Sequence, residues 1–289
     1  MHRTISVSGD WHLGEGDQHA LALYFRHLEK TKPHTVVLLG DIIDCVELHK
    51  SQQGARVPVV RGRGTLQLGE EIVLGRRVLG KLRATLPQAE IIYLEGNHEA
   101  RYPRYLARQS PEAYGHLPTI PDLLGLDELG IKWQAYGVPL KIANWWFTHG
   151  TKCGIHVCRT LVQEYMANVI MGHTHRLKSY SHTTPYGETF TGIEAAHLRD
   201  PRACYLANEW GQWQQGWIEL TELRPNHYGH TLCPIDLVTR NAVVGSGDVV
   251  DEASKGLFSA IKAASRTIVA RRKADVERAL FGNLFTDPE

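Results

Sequence analysis

The amino-acid sequence predicts an α/β fold, in which short apolar strands alternate with helices. Residues 35–39 and 91–94 are short apolar runs with β-branched side chains, which is typical of buried strands. Residues 20–29 and 66–86 repeat apolar side chains every three to four positions, which is typical of amphipathic helices. Strands and helices therefore alternate along the first part of the chain.

Six more elements extend this pattern. They are strands at residues 5–8, 145–148, 169–171, 189–192 and 217–220, and a helix at residues 157–166. The last two strands have no helical pattern between them. Because parallel neighbours need a long crossover, usually a helix, we expect these two strands to form a second, partly antiparallel sheet.

Composition excludes several classes of protein. The chain has 289 residues, with 32 Lys and Arg against 31 Asp and Glu, so its net charge gives no general attraction to nucleic acid or membranes. No apolar run has the length of a membrane span, so we expect no membrane partner. The five Cys are odd in number and form no CxxC pair, which favours free thiols and a cytoplasmic location.

The composition changes near residue 240. We expect residues 1–240 to form the main domain, and residues 241–289 to form a linker with a C-terminal helical extension. Residues 241–251 are rich in Gly and Val, and residues 252–281 have a helical pattern with Lys and Arg on the polar face. Such a helix favours packing on its own domain or a homo-oligomer contact over binding to nucleic acid or a membrane.

Polar side chains follow five of the predicted strands. The segments are Asp10-Trp-His12, Gly40-Asp41-Ile-Ile-Asp44, Gly96-Asn97-His98-Glu99, His149-Gly150 and Gly172-His173-Thr-His175. The carboxyl ends of the strands are where open α/β sheets build their sites. Each segment alone has an ordinary explanation, such as a turn or a helix cap. Five in order, each at a strand end, predict one shared site.

The residue types in these segments favour a metal centre. Residues at positions i and i+2 of an extended segment point the same way, so Asp10 and His12 form a natural ligand pair, as do His173 and His175. Carboxylate, imidazole and amide oxygen together suit zinc, iron, manganese or nickel. The set is larger than one ion needs. Two ions about 3.5–4 Å apart would use it to activate water and hold a phosphoryl group.

The series DxH, GDxxD, GNHE, HG and GHTH resembles the calcineurin-like metallophosphoesterases, and in particular their small bacterial and phage-encoded members. The resemblance covers residues 10–175 and, with the following strands, extends to about residue 220. It implies a four-layer α-β-β-α sandwich with two mixed β-sheets and metals at the strand ends. It also implies a hydrolase that attacks phosphate esters with a metal-activated hydroxide.

The same resemblance implies roles for individual residues. It implies one ion held by Asp10, His12, Asp41 and His175, and a second held by Asp41, Asn97, His149 and His173. His98 would face the substrate as an acid or as a stabiliser of phosphoryl charge, and Asp44 would orient it. We expect manganese at both positions, with iron, zinc or nickel as alternatives.

Two observations bear on the substrate. In the protein-phosphatase branch an Arg that holds phosphate follows the second Asp of GDxxD, whereas this chain has Cys45. Arg101 and Arg176 follow two of the motifs on loops that we expect to border the site, so they are candidates for substrate binding, with solvated loop charges as the equal alternative.

We therefore expect a phosphodiesterase or nuclease that acts on nucleotides or nucleic acid. A phosphomonoesterase for small molecules or phosphoproteins is the second hypothesis, and a non-catalytic binding scaffold is the third. Trp210, Trp213 and Trp217 are expected to pack in the core rather than to stack on bases.

Overall fold

The structure is a computed structural model that describes residues 3–48, 67–112, 114–201, 212–243 and 249–250. Its strands are β1 (Thr4–Ser8), β2 (Thr35–Leu38), β3 (Glu90–Leu94), β4 (Ile131–Gln134), β5 (Leu140–Ile142), β6 (Trp145–Thr148), β7 (Asn168–Met171), β8 (Leu177–Thr183), β9 (Thr189–Ala195), β10 (Gly216–Arg224), β11 (His227–Pro234), β12 (Ala242–Val243) and β13 (Val249–Val250). Its α-helices are α1 (Gln18–Thr31), α2 (Leu68–Thr85), α3 (Arg101–Gln109), α4 (Ile120–Leu124) and α5 (Val157–Tyr165).

Two mixed sheets form the centre of the fold. The first has the strand order β11-β10-β1-β2-β3-β4, in which β1 to β4 are parallel and β10 and β11 are antiparallel additions. The second has the order β5-β6-β7-β9-β8, in which β6, β7 and β9 are parallel and both edge strands are antiparallel. The predicted α/β class with two mixed sheets is confirmed.

Side chains alternate between the two faces of the central strands, so the first sheet has an apolar core on each face. In and just after β2, Val37 and Leu39 pack between the two sheets against Phe147 and Ile170, whereas Val36 and Leu38 face the helices. Helices α1, α2 and α4 cover that outer face, and α5 covers the outer face of the second sheet. The order of layers is therefore helix, sheet, sheet, helix, as the four-layer sandwich requires.

Local signals explain the limits of α1. Asp17 caps its start, since its side chain accepts from the backbone N–H groups of His19 and Ala20. The helix ends at Lys32, which adopts the left-handed conformation immediately before Pro33. Between these limits the apolar side chains face the core at helical spacing.

One expectation about the sheets is wrong. The strands predicted at residues 189–192 and 217–220 exist, as β9 and β10, but they do not share a sheet. Strand β9 lies between β7 and β8, while β10 pairs with β1 in the first sheet. The absence of a helical pattern between the two strands correctly indicated that they are not parallel neighbours. It did not identify the strands with which they pair.

The segment after residue 240 begins as part of the domain. Ala242 is fully buried in the core that faces α1 and α2, and β12 pairs with β13. The predicted linker therefore does not start at residue 241. The predicted C-terminal helix lies outside the described residues. In the described part of the chain, no helix combines the length and apolar character needed to cross a membrane, and Cys45, Cys153, Cys158 and Cys233 are free thiols.

Candidate metal centre

The loops that follow the parallel strands of both sheets meet at one edge of the sandwich. His149, just after β6, donates from Nδ1 to the carbonyl oxygen of Leu39, just after β2, at 2.7 Å. Because a carbonyl oxygen only accepts, this contact places the proton on Nδ1 and leaves Nε2 free as a metal ligand. The contact links the two sheets directly below the site.

The backbone is strained at five of the predicted ligands. Left-handed φ angles occur at Asp10 (52°), His12 (45°), Asp41 (51°), His173 (71°) and His175 (59°). For residues other than Gly this conformation costs about 1–2 kcal/mol each. Such strain persists where the surrounding structure enforces it, commonly at functional sites.

A first ligand cluster combines the DxH and GHTH motifs. The ligand atoms of Asp10, His12 and His175 all lie within 4.8 Å of one another. Nε2 of His175 is 3.1 Å from Nε2 of His12 and 3.3 Å from Oδ1 of Asp10. Oδ1 of Asp10 is fully buried and has no hydrogen-bond partner among the described residues. A buried, unpaired carboxylate oxygen facing two imidazoles fits a bound cation.

A second ligand cluster lies beside the first. Asp41, His149 and His173 also offer atoms within 4.8 Å of one another. Asn97 joins them, because its Oδ1 is 2.9 Å from Nε2 of His149. Oδ2 of Asp41 is 3.5 Å from Nε2 of His149 and 3.9 Å from Nε2 of His12, so this carboxylate lies between the two clusters.

The charges in the site suit metal binding. Burial lowers the pKa of His12 to about 4 and that of His175 to about 3, so both imidazoles are neutral near pH 7. Burial alone would raise the pKa of Asp41, but His149, His98 and His12 hold it below its usual range. Neutral imidazoles and ionised carboxylates are the forms that bind divalent ions. The residues present therefore fit divalent metal ions.

His98 lies at the mouth of the site with Asp44. Its Nδ1 is 3.0 Å from the backbone carbonyl oxygen of Asp44 and 3.4 Å from Oδ1 of the same residue. Burial lowers the pKa of His98, but Asp41 and Asp44 more than offset this and raise it above its ordinary value. The surroundings of His98 therefore favour its protonated form more than water does.

Asp44 contacts more than His98. Its Oδ1 is 2.7 Å from Nδ1 of His12, and the ligand atoms of His12, Asp44 and His98 form a third compact group. The short contact accepts the Nδ1 proton of His12 and turns its Nε2 towards the first cluster. Asp44 therefore orients a predicted metal ligand as well as His98.

Glu99 is a site residue whose role the motif GNHE does not reveal. Its carboxylate accepts from four backbone N–H groups and from one hydroxyl: Asp41 at 3.0 Å, Ile42 at 2.7 Å, Ile43 at 3.2 Å, Gly96 at 3.0 Å and Tyr93 Oη at 2.6 Å. Burial and the nearby Asp41 raise the pKa of Glu99 to about 7. The side chain of Glu99 therefore holds the loop that carries Asp41 in place.

The two predicted substrate-binding arginines differ in environment. Arg101 is the first residue of α3 rather than part of a loop; its guanidinium donates to the carbonyl oxygen of Asp44 at 2.8 Å and lies 3.0 Å from Nε2 of His98. Arg176 is buried and donates to Glu194 at 2.7 Å and to the carbonyl oxygen of Gly154 at 2.7 Å. Its surroundings favour a structural role over direct contact with substrate.

The predicted core tryptophans occupy different environments. Trp217 is fully buried in the core, as expected. Trp213 is half-buried, and its ring lies edge-on against His175 with centroids 4.4 Å apart, so it borders the first cluster. Trp210 lies outside the described residues. The position of Trp213 depends on a chain path that no local motif predicts.

Comparisons with known proteins show what this chain is similar to. A family model described as calcineurin-like phosphoesterase matches residues 3–177, which contain every predicted ligand. The chain is 26% identical over 249 residues to the Gene 54 protein of Mycobacterium phage L5, covering 81% of this chain and 94% of that protein. It is 27% identical to the Gene 54 protein of Mycobacterium phage D29 with the same coverage. The resemblance to phage-encoded members is confirmed.

Solved structures with similar architecture include Vps29 of Chaetomium thermophilum, at 11% identity and a TM-score of 0.45, covering 86% of this chain and 97% of that one. YfcE, a phosphoesterase from E. coli, matches at 11% identity and a TM-score of 0.34, covering 86% of this chain and 98% of that one.

Proposed function

Because the chain belongs to the calcineurin-like phosphoesterases, we propose that it is a phosphodiesterase that uses two divalent metal ions, with nucleotides or nucleic acid as substrates. The observation that carries this proposal is the pair of ligand clusters on either side of Asp41. One carboxylate between two sets of ligands is the arrangement that holds two ions close together despite their repulsion.

The ligands divide between the two positions. We propose Asp10, His12, Asp41 and His175 for the first ion, and Asp41, Asn97, His149 and His173 for the second. Manganese is our first choice for both, with iron, zinc or nickel as alternatives that the same donor atoms accept. When bound, such ions lower the pKa of water to about 7 and polarise the phosphoryl oxygens of an ester.

The protein's own residues supply the remaining chemistry. Once Arg101 turns from Nε2 of His98 to the substrate phosphate, protonated His98 donates from Nε2 to the oxygen of the leaving group, since expulsion of an alkoxide is otherwise slow. Asp44 keeps the ring of His98 oriented through its backbone oxygen and carboxylate. Arg101 lies beside Nε2 of His98, where its guanidinium stabilises negative charge on the phosphoryl group.

The proposed preference for diesters follows from the number of positively charged side chains near the phosphate. A phosphate monoester carries nearly two negative charges near neutral pH, whereas a diester carries one. Additional cations around the metals therefore stabilise a bound monoester more than a bound diester. The side chain of Cys45 is buried, and burial raises the pKa of its thiol, so this position supplies no charge to the substrate. Arg101 then supplies one cation, which matches a diester.

Arg101 is also the observation that favours a second candidate, a phosphomonoesterase. Its guanidinium contacts His98 and the carbonyl oxygen of Asp44, so α3 provides a cation beside the residue that precedes Cys45. The values of kcat/KM for bis(p-nitrophenyl) phosphate and p-nitrophenyl phosphate, with the same metal at the same pH, separate the two. A higher value for the diester supports our proposal, and a clear preference for the monoester replaces it with the second candidate.

A further inference from the structure

Helix α3 concentrates positive charge on one side of the site. Its nine residues include Arg101, Arg104 and Arg108 but no Asp or Glu, although the whole chain has a net charge of only +1. Side chains three or four residues apart lie on the same face of a helix, so the three arginines share one face. We call these three side chains the arginine face.

The arginine face begins at the metal centre. The guanidinium of Arg101 lies 3.0 Å from Nε2 of His98. The guanidinium carbon of Arg104 lies 5.1 Å from the centre of the Tyr136 ring, and this ring centre lies 6.3 Å from that of His149 in the second ligand cluster. Arg101 therefore borders the site itself, and Arg104 lies one aromatic ring away from the second cluster.

The outer part of the arginine face keeps its charge. Arg104 and Arg108 are exposed, and within the described ranges of the chain neither forms an ion pair with a carboxylate. Nε of Arg108 donates to the carbonyl oxygen of Arg104 at 3.0 Å, which leaves the other N–H groups of its guanidinium for a further acceptor. Arg101 and Arg104 also lie in the first turn of α3, where the helix dipole disfavours cations. Helix stability therefore does not explain these charges, whereas an external anion does.

The arginine face is long enough for several phosphate groups of a chain. At a rise of about 1.5 Å per residue, Arg101 and Arg108 are about 10 Å apart along the helix axis. Successive phosphates of one strand advance by about 3.4 Å in B-DNA, so more than one phosphate fits along this length.

An aromatic ring lies among these arginines. Tyr105 is half-buried and lies four residues after Arg101 and three before Arg108, so it belongs to the same side of α3. Proteins that bind single-stranded nucleic acid combine cations that follow the backbone with aromatic rings on which bases stack. The arginine face together with Tyr105 has both features. A small ester bound at the metals would use only Arg101.

We propose that the arginine face binds the backbone of a single-stranded nucleic acid, so that the phosphates next to the scissile one contact Arg104 and Arg108. The substrate of the proposed phosphodiesterase is then a polynucleotide rather than a mononucleotide. Arg104 and Arg108 determine this specificity without touching the reacting phosphate, whereas Arg101 serves the scissile ester. This inference rests on the proposed function.

Hydrolysis of a long and a small substrate tests the assignment, using full-length protein loaded with Mn²⁺. The experiment compares kcat/KM for a thymidine decanucleotide with kcat/KM for bis(p-nitrophenyl) phosphate in wild type, Arg104→Gln, Arg108→Gln and the double variant. Gln removes the charge and keeps a polar side chain. We expect the ratio of the two values to fall about threefold in each single variant and about tenfold in the double variant, the size typical of exposed charged contacts.

A matched control separates the arginine face from a general loss of positive charge. Arg224 is an exposed arginine at the end of β10. Because β10 runs antiparallel to β1, this end of β10 lies near the start of β1, at the opposite edge of the sheet from the metal centre. We expect Arg224→Gln to leave the ratio at the wild-type value.

Strand binding gives a readout that needs no turnover. Fluorescence anisotropy of a labelled thymidine decanucleotide is measured at several salt concentrations, with a chelator present so that the strand stays intact. The slope of log Kd against log salt concentration should decrease by about 0.7 for each arginine removed from the arginine face, and should not change in Arg224→Gln. If wild type hydrolyses no ester, the proposed function fails, while this slope still tests the arginine face.

The inference is overturned if the double variant keeps the wild-type ratio, if its salt slope is unchanged, or if Arg224→Gln alters both as much. It is also overturned if wild type hydrolyses a thymidine dinucleotide as well as the decanucleotide, because the substrate would then be a small nucleotide. Tighter binding of a duplex of the same length would contradict the assignment to a single strand.

Discussion

Asp44 accepts from Nδ1 of His12 at 2.7 Å, a shorter contact than the 3.4 Å that separates its Oδ1 from Nδ1 of His98. The same carboxylate oxygen, Oδ1 of Asp44, therefore lies near the imidazole rings of both His12 and His98. His12 belongs to the first ligand cluster, and His98 lies at the mouth of the site. We therefore expect metal binding and proton donation to be coupled through a single buried side chain.

This coupling predicts two simultaneous effects of Asp44→Asn. Loss of a group that orients a metal ligand typically costs 10–100-fold in metal affinity or activity. We expect the variant to lose both metal affinity at the first position and turnover, each by about tenfold or more. Metal content after dialysis and kcat at saturating Mn²⁺ measure the two effects separately. Full metal retention with reduced kcat would show that Asp44 serves His98 alone.

His98→Ala should separate catalysis from metal binding. A positioned proton donor typically contributes 10²–10⁴-fold, so we expect kcat to fall by about 10²-fold or more while metal content stays at the wild-type level. The loss should be smaller for esters with good leaving groups, because these need less help from a proton donor. Loss of metal in this variant would instead identify His98 as a ligand.

The two arginines should respond differently to removal. We expect Arg101→Ala to lower kcat/KM by about tenfold or more, because one charge-assisted contact contributes about 1.5–3 kcal/mol. Arg176→Ala leaves Glu194 buried without its partner, which typically costs 3–5 kcal/mol of stability. Denaturant titration and steady-state kinetics of both variants test this contrast. A stable Arg176→Ala protein with weakened substrate binding would restore Arg176 as a substrate contact.

Glu99 gives a prediction about pH. Its pKa is about 7 in the folded protein against an ordinary value of 4.5, so the folded protein holds a proton that the unfolded chain releases between these values. The stabilisation from this proton is complete below pH 4.5 and is lost as pH rises through 7, by up to about 1.4 kcal/mol per pH unit.

Glu99→Gln removes this titration. In metal-free protein, the free energy of unfolding of the variant should therefore rise relative to wild type as the pH increases from 4.5 to 7. Denaturant titrations at several pH values in the presence of a chelator measure the difference. A difference that stays constant with pH, or that changes in the opposite direction, would show that Glu99 is ionised in the folded protein.

The sequence predicted much of the candidate ligand set that the structure brings together, because its signals are local. Asp10 and His12, for example, lie two residues apart directly after a strand, and strand ends in α/β proteins meet at one edge. Glu71, whose carboxylate accepts from the backbone N–H of Cys45 at 2.8 Å, has no such signal. It lies within a helix, 26 positions after Cys45 in the sequence, and only the packing of α2 under the loop brings the two together.

Tertiary packing also decides features that the local patterns do not show. Arg176 follows a ligand motif, yet Glu194 on β9 and the carbonyl oxygen of Gly154 draw its side chain inward. Strand β10 has a clear strand pattern, but its position beside β1 depends on pairing between segments more than 200 residues apart. A sequence pattern within a short window predicts a helix or a strand, but it does not predict which other segments that element packs against.

The most direct test of the account is a metal titration of turnover. Protein stripped with a chelator is titrated with Mn²⁺ while hydrolysis of bis(p-nitrophenyl) phosphate is followed, with Asp41→Asn as the test variant and the exposed Asp127→Asn as the matched control. We predict no turnover without metal, saturation at two ions per chain in wild type and Asp127→Asn, and loss of both bound metal and turnover in Asp41→Asn. A protein that binds metal without hydrolysing any ester, or an Asp41→Asn variant with both ions and full activity, would contradict the account.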